Sequence, residues 1–166
     1  MNSNLVVLKE IFDLNNKLFL KAFDAMEKEE SYKQFSEANP AIWLMCHAVW
    51  AKAGVTRLLG AEVNAPKWVE QFSKSINELD AANFPELFEV KDAWQNLHGQ
   101  IEATLPNVSD EHLSAEQPQR FPTTENSILA ALAFLGQHES YHVGQLSYVR
   151  RLLDEQGLFK LAFAPS

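Results

Sequence analysis

His138 and His142 stand four residues apart in a segment whose apolar residues recur at helical spacing. Four residues make about one helical turn, so the two imidazoles project to the same side. Neutral imidazole is a donor for Zn, Ni, Fe and Cu, with bonds of about 2.0–2.2 Å to zinc. His47 belongs to another segment, on a stripe formed by Leu44, His47, Ala51, Gly54 and Leu58. It occupies a place where an apolar residue is expected, and two small residues follow it on the same face. Bundle cores build metal sites from side chains on facing helices. His47, His138 and His142 are therefore candidate ligands of one divalent ion, beside the plainer readings of an incidental pair and a hydrogen-bonded core histidine. Three ligands leave at least one coordination position open, as catalytic sites do. An ion held by three neutral imidazoles keeps its full charge and draws the pKa of a bound water or thiol toward neutrality.

Glu139 lies between the paired histidines. His138-Glu139-Ser140-Tyr141-His142 is a literal H-E-x-x-H, in which the Glu of a zinc protease is the general base. The extended protease form requires Gly at 145 and His at 148, where this chain has Gln145 and Tyr148. The form with a downstream Glu ligand finds only Glu155, close by on the same segment. No edge strand for a peptide is evident, so a peptidase is disfavoured. Glu139 is the candidate catalytic base, or a hydrogen-bond partner of a ligand His or of bound water; a surface carboxylate is the bland alternative. Cys46, one residue before His47, points about 100° away from it and reads as a core residue. Trp43 and Trp50 flank His47 by about a turn each and are candidate pocket walls. His98, His112 and the pair Arg150-Arg151 match no motif and read as solvated.

The elements that position these residues are helical. Leu5, Leu8, Phe12, Asn15, Phe19, Ala22 and Met26 step by three and four and predict a first helix from about Ser3, a candidate cap, to Glu29. Asn39-Pro40 is a cap followed by a first-turn proline, and the second helix runs to Leu59, where Gly60 ends it. A long connection over 61–82 follows, with a short turn at Pro66-Lys67-Trp68 and Trp68 as an end plug. The third helix starts near Asn83 or Pro85 and ends near Leu105-Pro106, with Leu87, Val90 or Lys91, Trp94, Leu97 and Ile101 inward. Residues 106–123 read as a loop. The fourth helix begins after Pro122-Thr123, which offers a capping hydroxyl, and Gly157 stops it. The apolar tail from Leu158 to Phe163 docks on the bundle or on a second subunit. No period-2 run, phosphate-binding glycine loop or internal repeat is present. The expected fold is all-α, a four-helix bundle in one domain over 1–166.

Composition narrows the function classes. The net charge is −8 and the fourteen Lys and Arg are scattered apart from one pair, so nucleic acid and anionic membrane are not expected partners. No apolar stretch approaches the roughly 20 residues that span a bilayer. The single cysteine allows no intrachain disulfide, and the first residues lack a basic region followed by an apolar run. A cytoplasmic location is the expectation.

The run from Gln137 to Leu153, and its His138-x-x-x-His142-x-Gly144-Gln145 core above all, resembles the last-helix motif of the DinB-like superfamily. The run from Asn39 to Ala51, an Asn-Pro start ahead of His47, is similar to that family's second-helix motif. The resemblance implies a four-helix bundle with a long crossover between the second and third helices. It implies that His47, His138 and His142 bind one divalent metal, zinc or nickel. It also implies a homodimer, and a small-molecule substrate with a low-molecular-weight thiol as co-substrate, since characterised relatives are thiol-dependent transferases or isomerases. A thiol S-transferase is the leading reading; a metal-dependent hydrolase and a non-catalytic metal-binding protein stay open beside it.

Overall fold

The stripe that opens the chain is an inward face: Leu5, Leu8, Phe12, Asn15, Phe19, Ala22 and Met26 are all buried. The computed structural model describes residues 3–24, 26–117, 119–153 and 155–163. Its helices are α1 (Ser3–Asp24), α2 (Lys28–Ser31), α3 (Ala41–Leu58), α4 (Leu87–Thr104), α5 (Asp110–Ser114), α6 (Ile128–Leu152) and α7 (Leu158–Phe163). Four are long. α1 packs on α4 and α6, and α3 packs on the same two, so the four close a ring. Among the described residues there is no strand, only an isolated antiparallel bridge between Glu116 and Ser127. No described helix is long and apolar enough to cross a membrane.

The core falls into two apolar clusters. One surrounds Phe19, Leu44, Trp94 and Leu146; the other surrounds Phe12, Val55, Ile101 and Leu132. Between them runs a buried polar layer to which every long helix contributes: Asn15 from α1, Lys52 from α3, His98 from α4, and Glu139 and His142 from α6. Asn15 Nδ2 donates to the Gly136 carbonyl at 3.2 Å, and Ser140 Oγ donates to Asn15 Oδ1 at 3.1 Å. Gly136 makes this close approach practicable, because a Cβ there would lie 3.3 Å from Ile11 Cγ2.

Helix ends differ from the sequence reading where local polar groups compete. α1 stops at Asp24 rather than near Glu29. The chain restarts as α2, where the Glu27 N–H donates to the Glu30 carboxylate at 3.0 Å. Pro40, not Asn39, is the N-cap of α3, while Gly60 takes the left-handed conformation expected of it, with φ +82°. α6 is capped by Ser127, whose Oγ accepts from the Ala130 N–H at 3.2 Å. Thr123 is spent locally, donating to the Glu125 carbonyl at 2.7 Å. The capping role read for Ser3 falls on a side chain outside the described residues. The segment 106–123 is not wholly irregular, since Ser109 caps α5. In the connection between α3 and α4, a 3-10 turn over Lys67–Ser73 buries Val69 and Phe72, with the partly buried Trp68 packed against the same core. The tail forms α7 and lies on α1 and α6 of its own chain, with Leu158 buried.

Candidate metal centre

α3 and α6 pack against each other, and each brings histidine to their seam. His47 comes from α3; His138 and His142 come from successive turns of α6. Their ligand atoms all lie within 4.8 Å of one another. His138 Nε2 and His142 Nε2 are 3.1 Å apart. Two donors bonded to one ion at about 2.0–2.2 Å, with angles near 90–110°, are about 2.8–3.6 Å apart. The observed spacing fits that edge.

Hydrogen bonds set two of the three rings. His47 Nδ1 is 2.7 Å from the Phe72 carbonyl oxygen. A carbonyl only accepts, so Nδ1 carries the proton and Nε2 presents a lone pair. His142 Nδ1 donates in the same way to Gln145 Oε1 at 2.7 Å, while Gln145 Nε2 donates to the Tyr141 hydroxyl at 3.3 Å. An outer partner of this kind fixes the tautomer and raises ligand basicity. His138 departs from the pattern. Its Nδ1 is buried and has no hydrogen-bond partner among the described residues.

The site keeps its rings neutral. Burial lowers the His47 pKa below its usual value, opposed by the bond to Phe72. Burial and the neighbouring His47 lower His138 to about 4. Burial, His138 and His47 lower His142 to about 4. Neutral imidazole is the form that binds a metal. Trp43 stacks on His47 with ring centres 4.7 Å apart and planes 9° apart, and Trp50 lies 5.2 Å away on the other side. Both indoles therefore flank the His47 ring, and both also pack on the bundle core. Cys46 is fully buried, and burial pushes its thiol pKa well up, so it is a core thiol.

Glu139 faces elsewhere than its neighbours. Its carboxylate is completely buried, with Lys52 Nζ at 3.1 Å from Oε1 and 3.4 Å from Oε2. It is no surface group, and it is not a member of the three-histidine cluster. Burial pushes the Glu139 pKa up and the Lys52 pKa down, and each partner opposes the shift of the other. Lys52 also sits 3.8 Å from the centre of the Trp94 ring. Lys52 matches no ligand or catalytic motif, yet its sequence context marks it. From Ala41 to Thr56 it is the only charged side chain, and a charge on a helix apolar all round has nowhere to go but inward.

Three residues read as solvated are not. His98 is 6% exposed, with Nε2 at 3.6 Å from Asp13 Oδ1. It lies one turn after Trp94 on the inward face of α4. His112 Nε2 is 2.7 Å from the Leu58 carbonyl and so closes the end of α3. Arg150 is buried and donates to the Gln156 carbonyl at 3.0 Å. Asp13, His98 and Glu102 form a second group with metal-ligand spacing, but Lys9 is bonded to the Asp13 carboxylate and supplies its positive charge.

A ring of four helices with three neutral histidines converging from two packed members defines a helical-bundle protein with a candidate histidine metal site. A family model of the DinB superfamily matches residues 11–146. The chain belongs to the DinB superfamily, and the matched span holds His47, His138 and His142. No curated protein and no solved structure matches the chain.

Proposed function

We propose that the chain is a metal-dependent enzyme that binds one divalent ion, zinc or nickel, through His47, His138 and His142 and transfers a low-molecular-weight thiol to a small electrophile. The observation that carries this reading is the composition of the cluster. Three histidines lie within 4.8 Å of one another, and among the described residues no fourth His, Cys, Asp or Glu joins them. A shell closed by four protein ligands would be structural; three leave room for a reactant. When bound, the ion supplies positive charge that favours the thiolate over the thiol at neutral pH. The chain supplies the rest. Phe72 and Gln145 hold two imidazoles with Nε2 directed at the centre, and Trp43 and Trp50 keep water from its flank. The thiol sulfur forms the new S–C bond, the leaving group departs with its electron pair, and the thiol proton goes to solvent. Glu139 is tied to Lys52 and is not needed as a base in this scheme.

A metal-dependent hydrolase would use the same centre with water as the nucleophile. The experiment that separates the readings begins with protein purified without a nickel column. Its metal is measured, the protein is reloaded with that metal, and it is screened for conjugation of small thiols to an aryl halide and for ester hydrolysis. Metal-dependent thiol consumption supports the transferase. Ester cleavage without thiol consumption favours the hydrolase, and neither activity in metal-loaded protein favours a binding role.

A further inference from the structure

His47, Ala51, Gly54 and Leu58 follow one another down one face of α3. The small side chains at 51 and 54 leave space beneath the imidazole, and a cavity of about 360 Å³ fills it. Its walls include Trp50, Ala51, Gly54, Phe121, Ile128 and Leu135. The cavity and the three-histidine cluster share a wall, because the Trp50 ring is 5.2 Å from the His47 ring. The opposite side is joined as well. Phe121 packs on Phe134 with ring centres 5.2 Å apart, and Phe134 lies 6.1 Å from His138. Leu135 stands about two turns before His142 on α6. The segment over the cavity is pinned by its own backbone: the Gln117 N–H donates to the Asn126 carbonyl, and the Ile128 N–H donates to the Ala115 carbonyl.

The chemistry of the lining selects its occupant. The charged groups at the mouth already have partners, Arg57 with Glu70 at 3.1 Å and Glu116 with Asn126 Nδ2 at 3.1 Å. The uncharged polar groups of the lining are engaged too, His112 Nε2 at 2.7 Å from the Leu58 carbonyl and Gln117 Nε2 donating to the Gln119 carbonyl, and the rest of the wall is aromatic and aliphatic. A cavity of about 150 Å³ in a protein core accepts benzene, so this one has room for a ring and several further carbons. We propose that the cavity binds the neutral apolar tail, an aryl ring on a short alkyl chain, of the small molecule that reacts at the three-histidine centre. The inference rests on the metal-centre reading for the word "reacts" and on the cavity alone for the binding.

The test uses phenylmethanol, 2-phenylethanol, 3-phenylpropanol and 4-phenylbutanol as probes of the full chain, without metal, followed by the shift of the Trp50 indole N–H signal. Affinity is expected to rise about three- to fourfold per added methylene. Gly54→Leu fills the floor. A Cβ there would meet only Leu135 Cδ1, at 3.8 Å, and a helix accepts leucine readily. Leu58→Trp fills the cavity from its mouth. Each variant is expected to weaken 4-phenylbutanol at least tenfold while keeping the helical circular-dichroism spectrum. Binding that ignores chain length, or that is equal in wild type and in both folded variants, would overturn the cavity as a tail site. The corresponding phenylalkyl thiols are then compared with the alcohols on zinc-loaded protein. A gain for the thiol that needs zinc and vanishes in His142→Ala supports the link to the centre. Chain-length dependence without that gain in protein that retains zinc overturns the link alone and leaves a neutral-ligand cavity, whereas failure of the wild type to retain zinc overturns the metal reading.

Discussion

Lys52 Nζ lies 3.1 Å from Glu139 Oε1 with both side chains wholly buried, joining α3 to α6 beside the residues that carry the three histidines. A buried charge that loses its partner is far more costly than a pair replaced outright. Lys52→Met is therefore expected to destabilise the protein by about 3–5 kcal/mol. Lys52→Met combined with Glu139→Leu is expected to lose much less. Urea denaturation of both variants checks the difference, and equal losses would count against an interaction between the two.

Metal binding should depend on three histidines and not on the others. His47→Ala, His138→Ala and His142→Ala are each expected to lower metal content from about one ion per chain to near zero after dialysis. His98→Gln and His112→Gln are expected to leave it unchanged, because His98 neighbours a carboxylate already bonded to Lys9 and His112 is bonded to the Leu58 carbonyl. Elemental analysis of the purified variants decides this.

The partner of a ligand should matter almost as much as the ligand. Gln145→Leu removes the acceptor of the His142 Nδ1–H. A loss of about 10–100-fold in zinc affinity is expected. Competition with a chromophoric chelator measures it, and the melting temperature should move little because Gln145 is part-exposed.

Acid should weaken the metal-free protein well before its carboxylates protonate. His98, His138 and His142 have pKa values lowered to about 4 in the fold. In the unfolded chain each titrates near 6.5. The unfolded state therefore binds more protons between those values, so stability is full above about pH 6.5 and falls as the pH drops toward 4. At pH 5 the loss is about 2 kcal/mol for each of His98 and His142, and less for the partly exposed His138, where water screens the charge. Thermal melts of metal-free protein at pH 7 and pH 5 are the check, and an unchanged midpoint would contradict it.

Ser127→Ala should cost about 1 kcal/mol by removing the cap of α6, whereas Thr123→Ala should cost little. Parallel denaturation curves rank the two.

Much of the bundle was legible because periodicity records burial. The α1 stripe, the inward residues of α4 and the turn between His138 and His142 all follow from spacing, and Gly60 ends α3 as its residue type requires. The three-histidine grouping was legible from the inward place of His47 together with the last-helix motif. What escaped were the buried polar partners. His98, Arg150 and Glu139 are polar by type, which points to solvent or to catalysis, yet each is covered by side chains that only packing brings near. Helix starts were misplaced where two hydroxyls competed, as with Thr123 and Ser127. Phe72 was invisible as a contributor because its role is played by a backbone carbonyl, which no side-chain pattern encodes.

That carbonyl has a kinetic consequence. It belongs to the connection between α3 and α4, which contains three 3-10 turns and buries Val69 and Phe72 against the core. Such segments open at lower free energy than the helices they join. Each opening breaks the bond at 2.7 Å and lets the His47 ring turn on its own axis. The residence time of an ion would then be governed by the breathing of a surface segment rather than by the strength of its three bonds. The amide-exchange rates around Phe72 would set the pace at which the site surrenders or acquires its ion, and a protease nick there would leave the helices standing while making the site leak.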